Sequence, residues 1–146
     1  NNRWFLFGLN NTYITNIPLD RIEEMVYSDT PYIRNTNIDF EEYFDDIVGV
    51  TFPKTGKKEM VILRFAHERF PYVTSKPLHH SQKIVNRGEC TISVEVIPNK
   101  ELQQLLFSFG PDVEVLSPSS LREDIKAKIA ELSTKYFAVQ KDCTDA

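Results

Sequence analysis

Glycine and cysteine are scarce in this chain, with five glycines and two cysteines among 146 residues. Cys90 and Cys143 form neither a disulfide framework nor a metal-ligand spacing, so both are read as reduced thiols. There is no Gly-rich phosphate loop, no Gly-x-Ser-x-Gly elbow and no His-Glu-x-x-His, and nothing in the sequence therefore marks an enzyme. No apolar run is long enough to cross a bilayer and no signal peptide is visible, so a cytoplasmic protein with no membrane contact is expected. The three histidines, His67, His79 and His80, have no cysteine or paired carboxylate at ligand spacing. Adjacent histidines on a strand would also point to opposite faces, so neither a metal nor a cofactor is expected.

Apolar and aromatic residues are present in quantity, at 41% and 12%. That suffices to bury a core in one ordinary domain or two small ones, and it argues against disorder. The net charge of −4 gives the whole chain no attraction for nucleic acid. Its distribution is uneven: residues 1–19, 20–50, 51–89 and 90–146 carry +1, −7, +5 and −3. A basic middle between acidic segments leaves room for a local anion site. The chain also opens without Met in mid-pattern, as a piece of a larger protein would.

Arg3-Trp4-Phe5-Leu6-Phe7-Gly8-Leu9 is strand-like, Asn10-Asn11 supplies a turn, and Tyr13 to Pro18 is a second extended piece. This predicts a hairpin. A polar connector, Ser28 to Asn37, follows Leu19-Asp20-Arg21-Ile22. Asp39 and Glu42 then have the spacing of a capping box, and Phe40, Tyr43, Phe44 and Ile47 share one helical face, closed by Gly49. Beyond a loop at 51–58 the pattern predicts a strand at 60–65, a weak helix near Phe70, and strands at 81–85 and 90–97. Asn99 caps a helix with the stripe Leu102, Leu105, Leu106 and Phe109, ended by Gly110. A strand at 113–116 precedes a last helix, which Pro118 and a Ser120–Glu123 capping box would open. Leu121, Ile125, Ile129, Leu132 and Tyr136 form its expected core stripe, and the tail after Phe137 is expected to fray.

The order from residue 59 is β, α, β, β, α, β, α. The first six elements are those of the ferredoxin-like fold, with an added C-terminal helix, so the class is α+β. The Trp-Phe-Leu strand followed by Leu-Asp-Arg-Ile resembles the end of a WYL domain, a bacterial regulatory module with a small Sm-like or SH3-like β-barrel. Phe5 stands where that family has tyrosine. His80-Ser81-Gln82, Phe107-Ser108-Phe109-Gly110 and Pro118-x-x-Leu121-Arg122 resemble its C-terminal extension, WCX, which is ferredoxin-like. The resemblance implies that residues 1–50 are the end of a WYL domain, a partial β-hairpin of the barrel plus a linker helix, and that 51–146 are WCX-like. The remaining barrel strands and a winged-helix DNA-binding domain would precede Asn1.

Arg21 is the leading ligand candidate, because a guanidinium offers a planar fork of donors suited to phosphate. The resemblance places it among ligand contacts, whereas the residues alone favour a surface pair with Asp20. Arg3 is a weaker candidate of the same kind. Trp4 and Phe5 can stack on a base, although strand aromatics more often form core. His80 and Gln82 are rich in hydrogen-bonding groups beside a strand start. Arg64 and Lys83, on one sheet face if the strands pair as expected, make a modest anion site against a default of solvated side chains.

The resemblance thus implies an effector-sensing and dimerisation region of a bacterial transcriptional regulator. It would bind a nucleotide or short single-stranded nucleic acid and act on DNA as a homodimer through an N-terminal domain. The alternative is a purely structural dimerisation module without a ligand, built on exposed edge strands and the apolar last helix. An enzyme of unrecognised type is the third and weakest reading.

Overall fold

A computed structural model describes residues 4–10, 13–36, 38–40, 42–53 and 55–137. The chain divides into two compact units, Asn1–Ile38 and Asp39–Ala146. This break lies ahead of the 50/51 boundary read from the sequence.

The first unit is built on an antiparallel hairpin of β1 (Phe5–Asn10) and β2 (Tyr13–Pro18), in register from Phe5↔Pro18 to Asn10↔Tyr13. The turn expected at Asn10-Asn11 lies partly outside the described residues. After β2 the Leu19 N–H donates to the Trp4 carbonyl at 3.0 Å, and Leu19–Arg21 forms one 3-10 turn. None of the described residues of this unit is buried. Trp4, which as a strand aromatic leaned towards a core role, is 80% exposed.

The second unit carries the sheet and the core. Strands β3 (Glu59–Phe65), β4 (Lys83–Asn86), β5 (Thr91–Val96) and β6 (Val113–Ser117) lie in the order β4-β5-β3-β6, all antiparallel. Helices α1 (Phe70–Ser75), α2 (Lys100–Ser108) and α3 (Ser119–Phe137) complete it. This is the ferredoxin-like order plus one helix, as the periodicity predicts. Val61, Leu63, Phe65, Ile92, Val94, Val96 and Val115 point to one sheet face, where they pack with Phe70 and Val73 of α1, Leu102 and Leu106 of α2, and Leu121 of α3. The opposite face carries Met60, Ile62 and Arg64 of β3, paired with Glu95, Ser93 and Thr91 of β5. Asn99 caps α2 as expected, its Oδ1 accepting from the Leu102 N–H at 2.7 Å. Pro71 opens α1, where its missing N–H costs nothing.

Three expectations need correction. Residues 39–50 form successive turns and no helix among those described. Their backbone groups find tertiary partners instead: Asp46 O accepts from Ile97 N, and Val48 O and Thr51 O from Asn99 Nδ2. Ile47, 3% exposed, anchors the segment. The Ser120–Glu123 capping box does not form. The Arg122 N–H bonds the Pro118 carbonyl, α3 begins one residue before Ser120, and Glu123 pairs with Lys126. Finally, the core stripe of α3 stops early. Leu121 is buried and Ile125 packs partly, but Ile129, Leu132 and Tyr136 are 51%, 48% and 78% exposed, outside the packed core. The tail expected to fray lies outside the described residues.

Candidate functional site

The residues singled out from the sequence fall in three places. In the first unit, Arg21 ends the 3-10 turn and is solvent-exposed, while Phe5 is half-buried at the start of β1. Arg3 lies outside the described residues. An exposed guanidinium held at the end of a hydrogen-bonded turn is free to reach an anion from solvent.

On the open sheet face of the second unit, the register sets Arg64 opposite Thr91 and Lys83 opposite Ser93, two residues apart on β5. The two cations therefore share a face, as the strand reading requires. Each already faces a carboxylate. Arg64 Nη2 lies 2.9 Å from Glu114 Oε2, and the other oxygen, Oε1, is 2.9 Å from Arg122 Nη2 of α3. Arg122 also donates to the Val115 carbonyl. The Arg122 hydrogen bond, aided by the charges of Arg64 and Arg122, holds the Glu114 carboxyl below its ordinary value of 4.5. Lys83 Nζ lies 3.8 Å from Glu95 Oε1. These pairs are largely exposed and individually weak.

The third place is the loop between α1 and β4. Gln82, read as a possible ligand contact, is used internally: its Oε1 accepts from the Leu78 N–H at 2.9 Å and its Nε2 donates to the Val73 carbonyl at 2.8 Å. His79 Nδ1 lies 2.8 Å from Ser81 Oγ, and that hydroxyl also accepts from the Glu95 N–H at 2.9 Å. The His79 and His80 rings stand 4.1 Å apart. Burial, and after it the neighbouring His80, push the His79 imidazole below its ordinary 6.5, with Asp45 acting in the opposite sense. His80 remains exposed and is the more available of the two to a partner. Among the described residues no group of three His, Cys, Asp or Glu side chains could hold a metal ion. Likewise no helix is long and apolar enough to cross a membrane. Cys90 is a free, buried thiol in a left-handed backbone position, φ 53°, ahead of β5.

Sequence reasoning missed Glu101. Its carboxylate accepts from the N–H groups of Val50 and Thr51, at 3.1 Å and 2.7 Å, beside the Asn99 amide that holds the carbonyls of Val48 and Thr51. Gly49, at φ 86°, is required there, because a Cβ would stand 2.5 Å from Glu101 Cδ. An acidic residue in the first turn of α2 was visible in the sequence, but nothing in its spacing pointed to a loop fifty residues earlier. A shallow cleft of about 400 Å³ between α1 and α2 also escaped notice. Its Arg69 pairs with Asp112 and lies 5.8 Å over the Tyr72 ring.

A family model described as the WCX domain matches residues 57–133, just over half of the chain. The match begins just before β3 and runs into α3, so it contains the whole sheet. No curated protein matches the chain.

Proposed function

Because this chain belongs to the WCX-domain family, we propose that it is the effector-sensing and assembly portion of a bacterial transcriptional regulator of the WYL type. In this reading the hairpin of the first unit contributes two strands to a WYL barrel, whose other strands cover its unburied faces. Arg21 holds the phosphate of an anionic effector, a nucleotide or a short single-stranded nucleic acid. The second unit passes binding to a homodimer that contacts DNA through an N-terminal winged helix. An effector that prefers one arrangement of these parts raises the population of the DNA-competent dimer by its difference in affinity.

The observation that carries the reading is Arg21 itself. It is exposed at the end of a fixed turn, behind a Trp-Phe-Leu strand, in a chain that continues into a WCX domain. The competing reading, a dimerisation module without a ligand, draws support from the second unit. There Arg64 and Lys83 already have carboxylate partners, and both ends of Gln82 are occupied.

Titration of the complete regulator with short single-stranded DNA, RNA and cyclic dinucleotides, followed by Trp4 fluorescence at fixed salt, separates the two. Loss of a charge-assisted contact of roughly 1.5–3 kcal/mol should weaken binding about 10- to 100-fold in Arg21→Ala. The salt dependence should become shallower by about one phosphate contact. Unchanged affinity in Arg21→Ala would remove that residue from the site. Absence of binding to every probe by a stable dimer would establish the assembly role instead.

A further inference from the structure

The cleft of about 400 Å³ between α1 and α2 is walled by one face of each helix. Arg69, Tyr72 and Lys76 recur at intervals of three and four along α1 and its caps, and Leu105, Ser108 and Phe109 form the opposite wall. Its apolar parts are rooted in the core. Leu78 and Phe109 pack against the buried cluster, and the Phe109 ring meets Phe65 edge-on at 5.3 Å. The rim is fixed as well: Gln82 accepts from the Leu78 N–H and donates to the Val73 carbonyl, tying the loop after α1 to the end of that helix. The walls are thus preorganised by contacts within the protein, and a space of this size suits one small molecule.

Charge narrows the choice of ligand. Arg69 directs Nε and Nη2 at one oxygen of Asp112, 3.1 Å and 3.0 Å away, so that pair is neutral in sum. Its guanidinium stands 5.8 Å over the Tyr72 ring and steadies it. Lys76 differs, having no ion pair among the described residues. A lysine after a helix ordinarily serves the last carbonyls, but here other groups hold them. Pro71 O accepts from Thr74 Oγ1 and Tyr72 O from Ser75 Oγ, each at 3.0 Å, and Val73 O from Gln82 Nε2 at 2.8 Å. Among the described residues no acid lines the cleft. Glu101, one turn before Leu105, is held by the N–H groups of Val50 and Thr51. What remains is one uncompensated cation beside a half-exposed aromatic ring, which matches a single negative charge carried on a flat apolar body.

We propose that the cleft between α1 and α2 binds a small aromatic monocarboxylate, with Lys76 on the carboxylate and the ligand ring against Tyr72 and Leu105. The ammonium supplies a charge-assisted hydrogen bond, and the apolar walls strengthen it by shielding it from solvent. Leu78 and Phe109 supply the remaining apolar contact.

Phenylacetate, phenylacetamide and acetate separate the two requirements when titrated into the isotope-labelled whole chain and followed by amide chemical shifts. Phenylacetate should saturate in the roughly millimolar range that so small a fragment allows, with the largest shifts at Tyr72, Lys76, Leu105 and Phe109. The uncharged phenylacetamide and the ringless acetate should each bind at least about tenfold more weakly. Lys76→Gln should remove the preference for acid over amide, and Tyr72→Ala should weaken both. Each of these side chains is exposed, so unchanged shifts of the core amides will show an intact fold. Equal binding of acid and amide, or of acetate and phenylacetate, would overturn the proposal. So would a lack of saturation by phenylacetate at millimolar concentrations, or shifts centred on Ile125 and Ile129 instead.

Discussion

Asn99 joins the segment at 39–51 to the start of α2, and its replacement is the sharpest test of how the second unit is held together. The side chain is 6% exposed and makes three hydrogen bonds at once. Its Oδ1 accepts from the Leu102 N–H at 2.7 Å, and its Nδ2 donates to the carbonyls of Val48 and Thr51 at 2.9 Å and 3.1 Å. Loss of an N-cap costs about 1 kcal/mol. Each amide–carbonyl bond contributes about 0.5–1.5 kcal/mol, the lower value applying to Thr51, which is exposed and can turn to water. Asn99→Ala should therefore destabilise by about 2–3 kcal/mol. Asn99→Ser keeps a capping oxygen but cannot reach the loop, so it should lose roughly 1–2 kcal/mol. The difference between the two variants isolates the cap and the remainder isolates the clasp. Urea unfolding followed by far-ultraviolet circular dichroism gives both values. Equal midpoints for Ser and Ala would show that the cap contributes nothing. A Ser variant as stable as wild type would refute the clasp.

Glu114 supplies a pH signature. Its folded-state pKa is depressed, so its contribution is fully present above the ordinary carboxyl value of 4.5 and is lost as pH falls through the folded value. The stability gap between wild type and Glu114→Gln should be under about 1 kcal/mol for so exposed a pair, largest near neutral pH, and closed in acid; a gap that widens on acidification would contradict the pairing. The two halves of the α3 stripe should also separate under alanine substitution. Leu121→Ala should cost about 2–5 kcal/mol, whereas Leu132→Ala should cost within about 0.5–1 kcal/mol, and equal losses by thermal melts would show that the stripe is buried along its whole length.

Much of the fold was legible because it rests on local patterns. Alternation from Cys90 to Ile97 marks β5, the Asn99 cap with Leu102 and Leu106 marks α2, and the order of elements leads to the ferredoxin-like sheet. The same patterns misled where a pattern had to be buried to mean what it said. Phe40, Tyr43, Phe44 and Ile47 have helical spacing, yet the segment forms successive turns, and its later backbone groups bond to Asn99, Glu101 and Ile97. Likewise the α3 stripe is continuous in sequence, but of it only Leu121 and Ile125 pack into the core.

Of the candidate site, the sequence alone determined which side chains have the right chemistry: an arginine after a Trp-Phe-Leu strand, and two cations on alternating strand positions. Strand periodicity fixes the direction of Arg64 or Lys83 only within its own strand, and the pairing of β3 and β4 with β5 is what puts the two on one face. What surrounds a side chain is not a local property. Only the tertiary structure decided that Glu114 lies between Arg64 and Arg122, that Gln82 is used internally while Arg21 stays exposed, and that the end of α3 lies open beside β6. Each of these depends on which distant strand or helix packs alongside, and that is set by burial of the shared core and by no spacing within the element itself.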